Sequence, residues 1–426
     1  MSWKKEKLGK LCTIEKGAIG ILKAIPGEYP MVVTSEERKS HNEFQFDDEA
    51  VIIPLVSSTG HGHKSLKRIH YQKGKFALGS ILCAVIPKNK TVLSAEYLYR
   101  FLDLNRENEL VGRMKGMANV TLPMKEIAEI EISLPSLKEQ HEFVEKYKQL
   151  EIQSASLSTE LTHQLETVKQ LRQQFLQEAV QGKLVENTEG GVSETGQQLL
   201  ARIKAEKAKT GKKEKPLPPI SADEIPFEIP VDWVWCRLGE ICSKIGSGST
   251  PNGSDYANEG FPFFRSQNIY NEGLIYDDIK FISDDVHIQM NGTVVLPNDI
   301  LLNITGGSMG RCAFVPSDFI EGNVSQHVCI IRLICVNNPF YHKIILSPFF
   351  QKYVFSSTTG AGREGLPKYN LEQFVIPLPP LSIQAQIVKK LGRLMGLCDA
   401  LELQIQESKM QNAQLLQQVL REALAG

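Results

Sequence analysis

LPPLSIQAQIV, Leu378 to Val388, restates LPSLKEQHEFV, Leu134 to Val144, at an offset of 244 residues. The match runs on without a gap. Gly116 pairs with Gly360, Leu122-Pro123 with Leu366-Pro367 and Gln140 with Gln384, until LRQQFLQEAVQG from Leu171 meets LLQQVLREALAG from Leu415. A weaker echo opens each half: Trp3, Leu8, Gly9 and Cys12 recur as Trp233, Leu238, Gly239 and Cys242 at an offset of 230, so the stretch between the echoes is 14 residues longer in the second half. A period this long means two duplicated modules and not a solenoid.

Within each module the pattern changes at the quoted motif. Before it come short strand-like runs, AVIIPLV from Ala50 and SILCAVIP from Ser80, with a helical piece near YLYRFL. After it, Leu157, Leu161, Val168, Leu171 and Phe175 space as on one long amphipathic helix with a coiled-coil seam, and Leu394, Leu401, Ile405, Leu415 and Val419 repeat it. Asn412 stands where the first helix has Val168, either fixing register or simply solvated.

Each apolar stripe needs a partner, and the other copy is the obvious one. Two-fold pairing of a tandem duplication makes the helices antiparallel and sends the two domains to opposite ends of a rod of roughly 65 Å. The expected fold class is therefore α+β: two similar mixed α/β domains separated by a long antiparallel two-helix coiled coil, with pseudo-two-fold symmetry. The expected boundaries are residues 1–133 for the first domain, 134–184 for the first helical region, 185–230 for a linker, 231–377 for the second domain and 378–426 for the second helical region. In the linker, the lysines of KAEKAKTGKKEK read as a solvated run or as an arm touching phosphates.

Composition bounds the function. The 426 residues are 42% hydrophobic and 23% charged with net charge -1, an ordinary balance that can still hide a basic face. No run of 18 apolar residues occurs, and MSWKKEKLGK lacks a signal peptide's apolar stretch, so a cytoplasmic protein with no membrane partner is expected. Eight cysteines follow no metal-ligand spacing and read as packing residues.

No catalytic residue is expected in this chain. NNPFY, Asn337 to Tyr341, has one proline where an amino-methyltransferase loop has two and reads as a helix start, GHGHKS from Gly60 lacks P-loop spacing, and Asp299 reads as a turn residue. His61 and His63 are too few for a metal site.

What remains is chemistry suited to a duplex. HGHKSLKRIHYQKGKF, His61 to Phe76, offers His61, His63, Lys64, Lys67 and Arg68 to phosphates or groove edges, or forms an exposed basic hairpin without a ligand. In the second domain Arg265, Gln267 and Asn268 have the side chains that pair with guanine and adenine. Arg311, in the glycine-rich TGGSMGR, and Gln326, in SQH, are further candidates. Two similar but non-identical reading heads on a spacer fit an asymmetric, bipartite site on double-stranded DNA.

The order domain, proline-initiated helix, domain, helix resembles the specificity subunit of type I restriction-modification enzymes. LPPLSIQAQIV, IPFEIPVDWVWCRLGEI, GSGSTP and FPFFRSQNI are similar to strings that recur in that family. The resemblance covers essentially the whole chain. It implies two target recognition domains, two methyltransferase subunits and ATP-driven restriction subunits as partners, and no cofactor in this chain, with S-adenosylmethionine, ATP and Mg held by the partners. The first copy of the motif has Glu139 where the second has Ile383, and VTSEE from Val33 stands where the second domain has RSQNI. Two other readings stay open: a coiled-coil scaffold that does not bind DNA, and an enzyme with an unrecognised site.

Overall fold

The computed structural model describes residues 3–59, 62–185, 194–209, 216–251, 256–358 and 365–425. It divides into two compact units, residues 1–163 with 405–426, and residues 164–404, so each unit takes a segment of both long helices.

Unit 1 opens with β1 (Lys4–Lys7) and β2 (Cys12–Lys16), followed by β3 (Tyr29–Val32), β4 (Lys39–His41), β5 (Phe46–Pro54), β6 (His70–Leu78), β7 (Leu82–Pro87) and β8 (Glu131–Leu134). A six-stranded sheet runs β2-β7-β5-β6-β3-β4, antiparallel except for β3 beside β6. The run AVIIP in β5 is apolar throughout because both faces of that strand are covered. Val51 and Ile53 pack with Tyr97, Leu98 and Phe101 of the helix Ala95–Leu104 and with Phe143, Val144 and Tyr147 of the first long helix. Ala50 and Ile52 face the other way, onto Phe46, Phe76 and Leu82.

Unit 2 rebuilds this plan. Its strands are β9 (Val234–Arg237), β10 (Cys242–Ser247), β11 (Phe261–Phe264), β12 (Ile269–Tyr270), β13 (Gly273–Leu274), β14 (Lys280–Ile282), β15 (Val294–Val295), β16 (Ile300–Asn303), β17 (Cys312–Phe314), β18 (Gly322–Val324), β19 (Val328–Leu333) and β20 (Val375–Leu378). The order β10-β19-β16-β17 repeats β2-β7-β5-β6. The parallel pair β11/β18 repeats β3/β6, with Phe264 beside Val324 as Val32 lies beside Leu78. The nine-residue β6 serves both sheet neighbours; β17 and β18 share the task in unit 2, and the chain between them accounts for part of the extra length. At the same place in each unit a glycine is required. A Cβ on Gly17 would lie 2.2 Å from the Gly79 carbonyl oxygen, and one on Gly248 would lie 1.8 Å from that of Val324.

The two sequence offsets meet in a strand pair. Lys7 lies opposite Glu131 and Arg237 opposite Val375, so the echo at 230 and the repeat at 244 are the two sides of one ladder, β1/β8 and β9/β20. That ladder delivers the chain into the long helices, Leu137–Val180 and Leu381–Ala425. Ser136 and Glu139 form a capping box at the first, Ser136 N–H reaching Glu139 Oε2 at 2.7 Å and Glu139 N–H reaching Ser136 Oγ at 3.3 Å. Both members are replaced together in the second copy, by Pro380 and the buried Ile383.

Two expectations need correcting. Leu157, Leu401 and Leu415 are 46%, 44% and 61% exposed. One row of the seam stands as expected: Leu161, Val168, Phe175, Ile405 and Val419 are buried or half-buried, in seven-residue steps with Tyr147 and Ser154 and with Leu391, Cys398 and Asn412. The other row lies one residue beyond the exposed leucines, at the half-buried Ser158, Glu402 and Leu416. Asn412 is half-buried, its Nδ2 donating to the Ser154 carbonyl at 3.0 Å. The segment read as a linker contains a helix, Gly196–Lys209, that buries Leu199, Leu200 and Ile203 in the core of unit 2. Beyond it Arg237, 3% exposed, donates to the carbonyls of Pro218 and Pro219 and to Glu224, strapping the chain down; the lysines at 212, 213 and 215 lie outside the described residues. Asp299 is a turn residue as read, its Oδ2 accepting from Leu296 N–H at 2.8 Å, and it is in addition 1% exposed and ion-paired with Arg332 at 2.8 Å.

Candidate nucleic-acid interface

In unit 2 three loops meet at one end of the sheet. They are Arg265–Asn268 after β11, Ile304–Arg311 between β16 and β17, and Ser325–His327 between β18 and β19. Asn303, wholly buried, ties the first two together through its Nδ2, which donates to the Ser266 carbonyl at 2.8 Å and to Ser308 Oγ at 3.1 Å. Its Oδ1 is buried with no partner among the described residues. Ser325 N–H donates to the Phe264 carbonyl, Ile304 N–H to that of His327, and Thr305 Oγ1 lies 2.7 Å from His327 Nδ1. The three strings chosen separately in the sequence, RSQN, TGGSMGR and SQH, are therefore one surface.

Unit 1 builds the same junction with different side chains. Gly79 N–H donates to the Val32 carbonyl, and Leu55 N–H to that of Ile81. The basic segment His61–Arg68 lies in the loop between β5 and β6, the topological counterpart of Ile304–Arg311. The two candidate stretches thus occupy the same loop of the repeat, and Ser65, Leu66 and Arg68 stand against Ser308, Met309 and Arg311. VTSEE occupies the loop of RSQNI, and Thr34, Ser35, Glu36, Ser57, Ser58, Lys67 and Arg68 line a cavity of about 470 Å³.

The candidates differ in what they can do. His61 lies outside the described residues. His63, Lys64 and Lys67 are exposed, with the loop held by Ser57 Oγ donating to the His63 carbonyl at 2.6 Å. Arg68 pairs with Glu36 at 3.0 Å. His70, in the same basic run, is 6% exposed; burial, then the nearby Arg38, pushes it down to about 4, so it adds no charge at neutral pH.

In unit 2, Gln267 and Gln326 are exposed and Arg265 is half-buried. Arg311 lies with its guanidinium carbon 4.7 Å from the ring centroid of Tyr270, a cation–π contact that leaves its donors without a hydrogen bond among the described residues and able to meet a base or phosphate. Asn268 is corrected. It is 0% exposed, its Oδ1 accepts from Arg265 N–H at 3.0 Å, and its Nδ2 donates to the carbonyls of Ile275 and Asp277. An amide satisfied at both ends and shut away from solvent holds the loop and cannot reach a base. Tyr270 and Asp278 were missed in the sequence because a single Tyr and the second of two adjacent acids, Asp277 and Asp278, read as ordinary loop residues.

Among the described residues no group of His, Cys, Asp and Glu has the arrangement to hold a metal ion, and no helix is long and apolar enough to cross a membrane.

A family profile described as the type I restriction modification DNA specificity domain matches residues 1–167 and 230–408. The chain belongs to that family. Two matches in one chain correspond to the duplication that the strand orders display. Among curated members of Escherichia coli, the type I restriction enzyme EcoAI specificity subunit is 32% identical over 257 residues, which are 57% of this chain and 42% of that one. The EcoEI specificity subunit is 28% identical over 277 residues, 61% of this chain and 44% of that one. The chain thus spans a little under half the length of these specificity subunits. The HsdS subunit structure from Thermoanaerobacter tengcongensis matches with a TM-score of 0.57 at 18% identity, covering 100% of this chain and 97% of that one, a likeness of fold.

Proposed function

We propose that this chain is the DNA-specificity subunit of a type I restriction-modification enzyme, without catalysis of its own. Each unit reads one half of a bipartite, asymmetric site on double-stranded DNA. The observation that carries this reading is the junction built twice: the same three loops converge in both units, and basic or amide side chains stand on them, the exposed His63, Lys64 and Lys67 with the half-buried Arg68 in one and the exposed Gln267 and Gln326 with the half-buried Arg265 and Arg311 in the other. A duplicated scaffold with divergent loop chemistry is what recognition of two different half-sites requires.

The long helices pair antiparallel as a pseudo-two-fold coiled coil, set the gap between half-sites and dock two methyltransferase subunits; restriction subunits complete the assembly. Contacts inside each unit support the pairing. Lys409 Nζ lies 2.9 Å from Thr162 Oγ1 and Asn412 reaches Ser154 in unit 1, while Arg172 pairs with Asp399 at 2.7 Å and Glu402 at 3.0 Å in unit 2, so the numbering falls on one helix as it rises on the other. S-adenosylmethionine, ATP and Mg belong to the partners on this reading, and the assembly is cytoplasmic.

The deciding experiment maps methylated adenines in a genome carrying this chain with its partners. A bipartite methylated sequence that disappears when the chain is deleted supports the reading. Unchanged methylation without the chain overturns it.

A further inference from the structure

One acid stands among the candidate readers of unit 2. Asp278, 63% exposed, accepts from Arg265 Nη2 through its carbonyl at 2.7 Å and through Oδ2 at 3.0 Å, and the same Oδ2 accepts from Gln267 Nε2 at 3.0 Å. Lys280 Nζ lies 3.2 Å from Oδ1. Two of the side chains that would meet DNA therefore end on a single carboxylate. Hydrogen bonds from Arg265, then Lys280 and Gln267, hold that carboxyl below its usual range, so it is ionised at neutral pH.

Two features are costly without a purpose. An exposed negative charge on a surface that approaches phosphates repels the duplex and weakens sequence-independent affinity. The backbone of Asp278 is left-handed, with φ 52, a conformation that side chains other than Gly, Asn and Asp rarely adopt. What Asp278 gains in return is geometry. An arginine has a long, mobile side chain, and recognition of a base needs its free donors aimed before contact. With Nη2 on Asp278 and Nε buried without a partner, the Arg265 guanidinium is held by one edge and Nη1 makes no hydrogen bond among the described residues.

We infer that Asp278 is a positioning residue for base recognition: it orients Arg265 and Gln267 for one base pair of the half-site that unit 2 reads, at the expense of general affinity for DNA. The inference rests on the DNA-reading role proposed above. It predicts opposite signs for two measurable quantities, which a purely architectural aspartate does not.

The test uses the purified full-length chain as wild type, Asp278→Asn and Asp278→Gly. Asn keeps the shape and tolerates the left-handed backbone, and Gly relieves it, so backbone strain cannot unfold either variant. Each protein is incubated with a library of duplexes carrying random base pairs and the bound sequences are read. Affinity for one fixed duplex of arbitrary sequence is measured over a salt series alongside. Both variants should bind the fixed duplex more tightly than wild type and lose about tenfold in preference at one base pair of one half-site, the other positions holding. Unaltered preference at every position overturns the inference. So does an even loss across the whole site together with weaker binding to the fixed duplex, the mark of a damaged fold. A wild-type chain that enriches no sequence overturns the DNA-reading role itself, and the role of Asp278 with it.

Discussion

Gln384 Oε1 accepts the backbone N–H of Asn337 at 2.8 Å, and Gln140 Oε1 accepts that of Ser94 at 2.9 Å. Both glutamines are wholly buried, and each Nε2 donates to the proline carbonyl that opens its own motif, Pro379 at 2.8 Å and Pro135 at 3.0 Å. Asn337 and Ser94 are the N-caps of the helices Asn338–Leu346 and Ala95–Leu104. One amide thus fastens the start of a long helix to the start of a domain helix, once in each unit. Nearby Tyr341 and Tyr97 donate from their hydroxyls to the carbonyls of Pro377 and Ser133. The glutamine of LPPLSIQ and LPSLKEQ recurs because no other uncharged side chain long enough supplies both a donor and an acceptor there.

Replacing Gln384 by Ala should therefore destabilise the chain by about 1–3 kcal/mol, since it leaves a buried N–H and a buried C=O unsatisfied. Chemical denaturation of Gln384→Ala and Gln140→Ala checks this. Each should lower the unfolding midpoint by a comparable amount.

Asn268 and Arg311 should part company under mutation. Asn268→Ala removes three buried hydrogen bonds and should lower the thermal midpoint. Arg311→Ala should leave that midpoint in place, weaken duplex binding and reduce the salt slope of log affinity by about one unit if it contacts a phosphate. Calorimetry and anisotropy titrations separate the two effects.

The strap on unit 2 should loosen in acid. Hydrogen bonds from Arg237, then from the Ser221 backbone, hold Glu224 at about 2. A carboxyl whose folded value lies below its ordinary 4.5 contributes stability that is fully present above that value and is lost as pH falls toward 2. Glu224 is 36% exposed, so solvent screening keeps the effect small. The thermal midpoint of Glu224→Gln should lie below that of the wild type at neutral pH and converge with it as the buffer is taken below pH 4.

Exchanging residues 231–377 for the corresponding segment of a relative should change one half of the methylated sequence and leave the other. The duplicated junction is complete within unit 2, so nothing in it requires loops from unit 1. Methylome sequencing of the chimera reads this directly, and a change in both halves would count against independent reading.

A heptad inserted into each long helix, after Leu157 and after Leu401, keeps the seven-residue seam and lengthens an antiparallel pair by about 10 Å at 1.5 Å per residue. That is close to three base pairs at about 3.4 Å each. The added pairs turn one half-site by roughly 100° about the duplex, so activity should fall. Sites still methylated should have a longer gap and unchanged halves. A fully active variant that keeps the original gap would show that the helices do not set it.

The sequence alone determined the duplication, its two offsets, the long helices and the strands AVIIP and LCAVIP, because each is written in residues near one another along the chain. Periodicity marks a helix, an apolar run marks a covered strand, and a repeated Pro-x-Leu-x-x-Gln marks a repeated local structure. The NNPFY string also read correctly as a helix start, with Asn337 Oδ1 accepting from Phe340 N–H. Even here the exact seam escaped. Leu157 and Ser158 are neighbours, and whether the leucine or the serine turns inward depends on what lies across the interface.

Tertiary structure alone decided which loops form the candidate site. RSQN, TGGSMGR and SQH stand about 40 and 20 residues apart, and they meet only because β11, β16, β18 and β19 are laid side by side by long-range hydrogen bonds. The same strand order made Gly62–Arg68 the counterpart of Ile304–Arg311, a correspondence marked in the sequence only by Ser65, Leu66 and Arg68 against Ser308, Met309 and Arg311. It also reassigned the members of the site. Asn268 has suitable chemistry for a base and is buried, Arg311 has its ring partner 41 residues away, and Arg265 ends on an aspartate that the sequence gives no reason to notice. Side-chain type is a local property, whereas exposure and partnership belong to the packed chain, and recognition depends on the latter.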